Sequence, residues 1–66
     1  MEWRKPSDRP KDFQDVLIYY ITKTYKGDEY RDYGIGWCVD YEWYTYLVNE
    51  KIECVAWTPL PEPPEF

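Results

Sequence analysis

Proline placement sets the frame for this chain. All six prolines lie towards the two ends, at Pro6 and Pro10 and again at Pro59, Pro61, Pro63 and Pro64. Proline lacks a backbone donor and biases the residue before it away from the helical region, so neither end can form a regular helix. Between the two groups lies a proline-free stretch, residues 11–58, in which Val, Ile, Tyr, Thr and Trp recur in short runs. No window there carries an apolar stripe at helical spacing, while turn residues separate the runs at strand-length intervals.

The strongest run is residues 15–24 (DVLIYYITKT). Period two places Val16, Ile18 and Tyr20 on one face and Leu17, Tyr19 and Ile21 on the other. Both faces are apolar, which predicts a central strand covered on both sides, one of them by the N-terminal arm. Residues 26–29 (KGDE) read as a turn, and residues 30–39 as a second strand. In that strand Gly34 and Gly36 flank Ile35, which predicts a bulge or a place where a ring lies over bare backbone. A turn at Asp40-Tyr41 leads to a third strand over 42–48, a hairpin turn at 49–51 (NEK) and a fourth strand over 52–58. The expected fold is all-β: one domain over 1–66, with an extended arm (1–14), an antiparallel meander of about four strands (15–58) and a polyproline-like tail (59–66) packed on the sheet.

A 66-residue domain has a thin core, burying roughly 60% of the surface that its unfolded chain exposes. Four Trp, eight Tyr and two Phe offset that, since each large ring can bury about 150–250 Å². A structural clasp is expected at the ends. Trp3 pins the arm with Phe13, and Trp57 is buried while Pro59 and Pro61 lay Leu60 against the sheet.

Charge is divided unevenly along the chain. Residues 1–31 hold seven basic and six acidic groups, whereas residues 32–66 hold Lys51 against seven acidic groups, giving the net −5. Nucleic-acid binding depends on neutralising phosphates with Lys and Arg, so an acidic half argues against direct contact with nucleic acid. It suits a basic protein partner, and it equally keeps an aromatic-rich surface soluble. No apolar run approaches the ~18 residues of a membrane span, and the charged start MEWRKP is unlike a signal peptide. The expectation is a cytoplasmic protein with Cys38 and Cys54 as free thiols, with a disulfide left open should the two prove to be cross-strand neighbours.

Catalysis has little to draw on, and no enzyme activity is expected. The sequence has no His. The acidic pairs Asp28/Glu29 and Glu62/Glu65 fall in a turn and in the tail, where water solvates them. Cys38 and Cys54 lack a basic partner for nucleophilic work, and two thiols alone do not close a zinc site. Gly34-Ile35-Gly36 lacks the remainder of a phosphate loop. No metal or cofactor is implied.

The informative set is aromatic: Tyr30, Tyr33, Trp37, Tyr41, Trp43, Tyr44 and Tyr46. One reading makes them core. The other makes part of one sheet face a binding surface, with Tyr19, Trp43, Tyr44 and Tyr46 as its candidates, because Tyr and Trp concentrate in interface hot spots. A single four-stranded sheet cannot bury both faces, so some of Tyr19, Tyr44 and Tyr46 must meet solvent, another protein or a second copy in a homodimer. An aromatic cage for a nucleotide-like small molecule, with Arg4, Lys5, Arg9 and Arg31 on its phosphates, is the alternative.

Trp3, the segment DRPKDFQDVLIYY (8–20), Gly36-Trp37 and the close VAWTPLPEPP (55–64) together resemble a small phage and prophage family catalogued as domain of unknown function family 551. The closing block is the most specific part. Two positions depart from the family pattern. No Leu precedes Pro10, and Ala56 stands where the family usually has His. The family brings no activity with it. What the resemblance implies is a setting, that of phage accessory proteins in a bacterial host, many of which bind and block host proteins such as defence or nucleic-acid-processing factors.

Overall fold

The computed structural model describes residues 2–61, 63 and 64, and the side chains of all of these except 49–51. Four strands follow the chain: β1 (Val16–Lys23), β2 (Glu29–Val39), β3 (Glu42–Thr45) and β4 (Val48–Pro59). Every pairing is antiparallel, and no helix occurs among the described residues. The meander also closes on itself. β1 pairs with β4 as well as with β2, which makes a barrel. Closure is possible because the two long strands are each shared between two partners. β2 pairs with β1 up to Gly36 and with β3 from Gly36 to Val39. β4 meets β3 at Val48 and Ile52, and β1 from Glu53 to Pro59.

The barrel interior explains the doubly apolar β1. Val16, Ile18 and Tyr20 point inward to join Cys38, Trp43, Ile52, Cys54 and Trp57 in the core, and Leu17, Tyr19 and Ile21 lie half-buried outside. So small a barrel has no room for a side chain at every inward position. Gly34 and Gly36 supply the missing space opposite Ile18 and Val16. A Cβ on Gly36 would run into the carbonyl oxygen of Tyr44 and lie 2.7 Å from Ile18 Cδ1. One on Gly34 would meet Thr45 Oγ1 at 3.1 Å and the Tyr20 ring at 3.3 Å. The glycines therefore mark close approach, and the β1–β2 register runs through them without a bulge.

Of the two turns beside β3, one forms as expected and the other is corrected. The turn at Asp40–Tyr41 forms as the sequence predicts, with φ of 51° and 64°, the left-handed pair that a two-residue hairpin favours. The turn expected at 49–51 forms earlier, at Tyr46–Leu47. There Tyr46 N–H donates to the Ile35 carbonyl at 3.3 Å and Thr45 Oγ1 donates to the same oxygen at 2.8 Å, tying the end of β3 to β2. Residues 49–51 instead form an irregularity within β4, since Trp43 pairs with Ile52 while Thr45 pairs with Val48. Their polar run marks a bulge, where the extra residues do not belong to the ladder.

The ends also depart from expectation. The arm contains turns at residues 6–8 and 12–13 and is not simply extended. Trp3 and Phe13, its expected anchors, are 40% and 70% exposed. Backbone contacts hold it instead. Arg4 and Trp57 exchange two hydrogen bonds of 2.7 and 3.0 Å, and Phe13 N–H donates to the Cys38 carbonyl at 3.1 Å. The Trp57 indole N–H then donates to the carbonyls of Asp8 (2.7 Å) and Lys5 (3.2 Å). Trp57 is 4% exposed, but Leu60 is 36% exposed, and Pro59 and Pro61 also face solvent. Leu60 is therefore not the anchor. The arm encloses Trp57, and its carbonyls take the indole proton. Glu62, Glu65 and Phe66 lie outside the described residues.

Candidate functional site: the outer aromatic row of β2

With Gly34, Gly36 and Cys38 turned inward, period two turns Tyr33, Ile35 and Trp37 outward. Cross-strand register sets further apolar groups beside them. Tyr19 faces Tyr33, Leu17 faces Ile35, and Tyr44 faces Trp37. The early turn after β3 then folds Tyr46 over the end of the row.

The rings form two clusters joined through Ile35. In the first, Tyr33 lies 4.8 Å from Tyr19 and 6.1 Å from Trp3, centroid to centroid. In the second, Trp37 lies between Tyr44, at 5.8 Å and nearly parallel, and Tyr46, at 4.6 Å and tilted. Beside Tyr46 a shallow groove is lined by Asp15, Ile35, Tyr46 and Leu47. Tyr46 and Leu47 are both about two-thirds exposed, at 65% and 68%.

Carboxylates bracket the second cluster. Tyr44 OH donates to Glu42 Oε2 at 2.6 Å, and Tyr46 OH donates to Asp15 Oδ1 at 2.8 Å. The hydrogen bond to Asp15 raises the Tyr46 phenol above its ordinary value, with burial and the Asp15 charge adding to it. The cluster is thus an apolar ridge with a negative charge at each tyrosine end.

Of the four expected face residues, the structure brings Tyr44 and Tyr46 together and places Tyr19 in the neighbouring cluster. Trp43 is corrected. It is 7% exposed and packs 6.5 Å from Trp57 inside the barrel. Alternation along β3 decides this, since Trp43 and Thr45 share the inward face and Tyr44 the outward one. Trp37 is the residue that takes its place in the face. Its signal lay in the period-two set Tyr33, Ile35, Trp37, masked by the glycines between them.

Of the cationic groups of the small-molecule alternative, Arg31 precedes Tyr33 on the outward face of β2, while Arg4 and Arg9 are turned to other partners. Arg4 lies 3.6 Å from Asp8 and over the Trp57 ring, and Arg9 lies 3.6 Å from Asp12 and 4.0 Å over the Tyr41 ring. Both cysteines are free and buried. They sit on β2 and β4, strands that are not hydrogen-bonded neighbours. Burial first, and then the nearby Cys38, push the Cys54 thiol up to about 12, so it is a core group with little thiolate character. No helix among the described residues is long and apolar enough to cross a membrane.

No family model, no curated protein and no solved structure matches this chain.

Proposed function

We propose that this chain is a small acidic protein-binding module that engages a host protein through the outer aromatic row of β2. The observation that carries this is the cluster of Trp37, Tyr44 and Tyr46 beside Ile35 and Leu47, where contacting rings and two strongly exposed apolar side chains, Tyr46 and Leu47, gather on one outer face. Contiguous apolar patches of this kind mark interaction sites, and Trp and Tyr carry a disproportionate share of binding energy. The net charge of −5 favours a basic partner. The setting, a phage or prophage accessory protein that inhibits a host defence or nucleic-acid-processing protein, rests on the resemblance of residues 8–20 and 55–64. A homodimer through the same face is the competing use of the surface.

The test is capture from bacterial lysate by the wild-type domain and by Tyr46→Ala and Ile35→Asp, with melting temperatures checked for all three. Loss of the captured protein in both variants, at unchanged melting behaviour, supports the proposal. Equal capture by all three, or a wild-type dimer that Ile35→Asp converts to monomer, removes it.

A further inference from the structure

We propose that the open edge of β2 pairs antiparallel with the same edge of a second copy of this chain, about a two-fold axis at Tyr30. This contact is separate from the Trp37 cluster and does not rest on the reading of that face. β3 is only four residues long and covers β2 from Gly36 onward. Among the described residues β2 does not touch β4. Residues 29–34 therefore have β1 on one side and no strand on the other. Two bonds fix where their main-chain groups point. The Asp28 carbonyl accepts from Thr24 N–H on the β1 side, and the Ile35 carbonyl accepts from Tyr46 N–H on the β3 side. Alternation then aims the N–H and C=O of Glu29, Arg31 and Tyr33 at the open edge. Asp32 Oδ1 takes the Tyr33 N–H at 2.8 Å and ends the run there. Glu29 and Arg31 keep both groups for an added strand.

Charge complementarity names the occupant. Glu29-Tyr30-Arg31 reads acid, ring, base. A copy turned over about Tyr30 sets Glu29 opposite Arg31 of the second copy, and Arg31 opposite its Glu29. Each of these couples exchanges both main-chain bonds, and the two Tyr30 rings meet at the axis in a non-hydrogen-bonded pair, where side chains come closest. Tyr30 is 58% exposed, so its ring is open to such a contact. Arg31 forms none of the ion pairs among the described residues, and Glu29 lies 3.7 Å from Lys23 of its own β1. The Glu29 carboxylate would then lie between two cations. Other axes do worse, because like charges directly opposite are destabilising. An axis at Glu29, Arg31 or Asp32 sets that residue against itself. The axis at Tyr30 leaves Asp28 opposite Asp32 as its like-charge couple, with Asp28 just outside β2 and Asp32 turned back to the Tyr33 N–H. A contact this short makes a weak, reversible dimer, joined edge to edge as a symmetric pair.

The experiment is disulfide trapping. Tyr30→Cys, Arg31→Cys and Asp32→Cys are each oxidised with a glutathione redox pair, and the covalent dimer is followed on non-reducing gels against wild type, whose two thiols are buried. Directly opposite residues in an antiparallel pair have Cβ atoms about 4.5–5.5 Å apart, close to disulfide reach, while residues displaced along the strand lie beyond it. Tyr30→Cys should therefore cross-link about tenfold faster than either neighbour. Adding Glu29→Arg should slow that trapping by about tenfold, and adding Glu29→Arg with Arg31→Glu should restore it. Tyr46→Ala should leave the trapping rate unchanged even where it abolishes lysate capture, which keeps the two surfaces distinct. The proposal is overturned if Tyr30→Cys does not cross-link, if all three positions cross-link equally, or if Arg31→Cys or Asp32→Cys leads. It is also overturned if the charge reversal has no effect, if the double reversal does not rescue it, or if Tyr46→Ala slows trapping as much as Glu29→Arg, since the contact would then lie on the aromatic face.

Discussion

Two tryptophans on strands that do not pair, Trp57 on β4 and Trp37 on β2, meet opposite fates. Trp57 projects into the barrel, touches Trp43, and has its indole proton taken by two carbonyls of the arm. Trp37 projects outward, lies between two tyrosines, and keeps a half-exposed ring. Both contact other aromatic rings, and both sit two residues before the end of their strand. What separates them is cover. The arm folds over the end of the barrel that holds Trp57, while nothing else in the described chain folds over Trp37. An aromatic residue in a small β domain becomes core or surface according to which face its strand presents and which segment returns over it. Its own chemistry does not decide.

The largest test of this contrast is alanine at each tryptophan. Trp57→Ala should cost about 3–5 kcal/mol, as removal of a buried Trp does, and a domain of this size should then be unfolded at room temperature by circular dichroism. Trp37→Ala should leave a cooperative melt and lose only the capture of its partner. A folded Trp57→Ala protein would erase the distinction.

Glycine substitutions probe the inner layer next. Gly36→Ala forces a methyl against the Tyr44 backbone and should cost about 2–3 kcal/mol in denaturant unfolding, because backbone gives way less readily than a side chain. Gly34→Ala meets only side-chain atoms at 3.1–3.3 Å and should cost less than half as much.

Alkaline titration separates the layers by a different route. The Cys54 thiol is raised from 9.0 to about 12 in the fold. The unfolded chain loses this proton first, so the thiol's contribution is fully present below pH 9 and fades as pH rises towards 12. The slope is about 1.4 kcal/mol per pH unit for one proton. Melts between pH 8 and pH 11 should fall accordingly, and Cys54→Ala should flatten much of that fall. Tyr46→Phe, on the exposed face, should flatten little of it.

Smaller effects follow at the ends and on the rim. Trp57→Phe keeps a buried ring but removes the donor to Lys5 and Asp8, and should cost about 1–2 kcal/mol while speeding tryptic cleavage after Arg4 and Lys11. Tyr46→Ala and Leu60→Ala should each change stability by under about 1 kcal/mol. A large loss at Leu60 would restore the tail as the clasp.

Much of this was legible in the sequence for identifiable reasons. Residues 16–23 form a strand because Val, Leu, Ile and Tyr fit a pleated surface, and their two apolar faces required cover on both sides. Asp40-Tyr41 turns where expected. Barrel closure was not legible, since it depends on β4 being long enough to serve both β3 and β1. The NEK run at 49–51 reads as a turn by composition. It became a bulge because Thr45 and Tyr46 had already fastened to Ile35. In the candidate face, Tyr44 and Tyr46 were found from their positions, Trp43 was misplaced against its own alternation, and the outward set ending in Trp37 was interrupted by Gly34 and Gly36. The arm's hold on Trp57 runs through main-chain carbonyls of Lys5 and Asp8, which every residue possesses and no pattern of side chains announces.

The pairing of Val16 with Pro59 has a consequence for how the protein is made. The first strand and the last complete each other, so no subset of the strands has a finished core. During synthesis β1 to β3 emerge with their apolar faces open and stay so until β4 leaves the ribosome. Contacts between distant parts of the chain slow the search for the native state, and unpaired strands held open meanwhile invite association with other chains. The charges spread along the arm and the early turns, from Arg4 to Glu29, oppose such association while β4 is still missing.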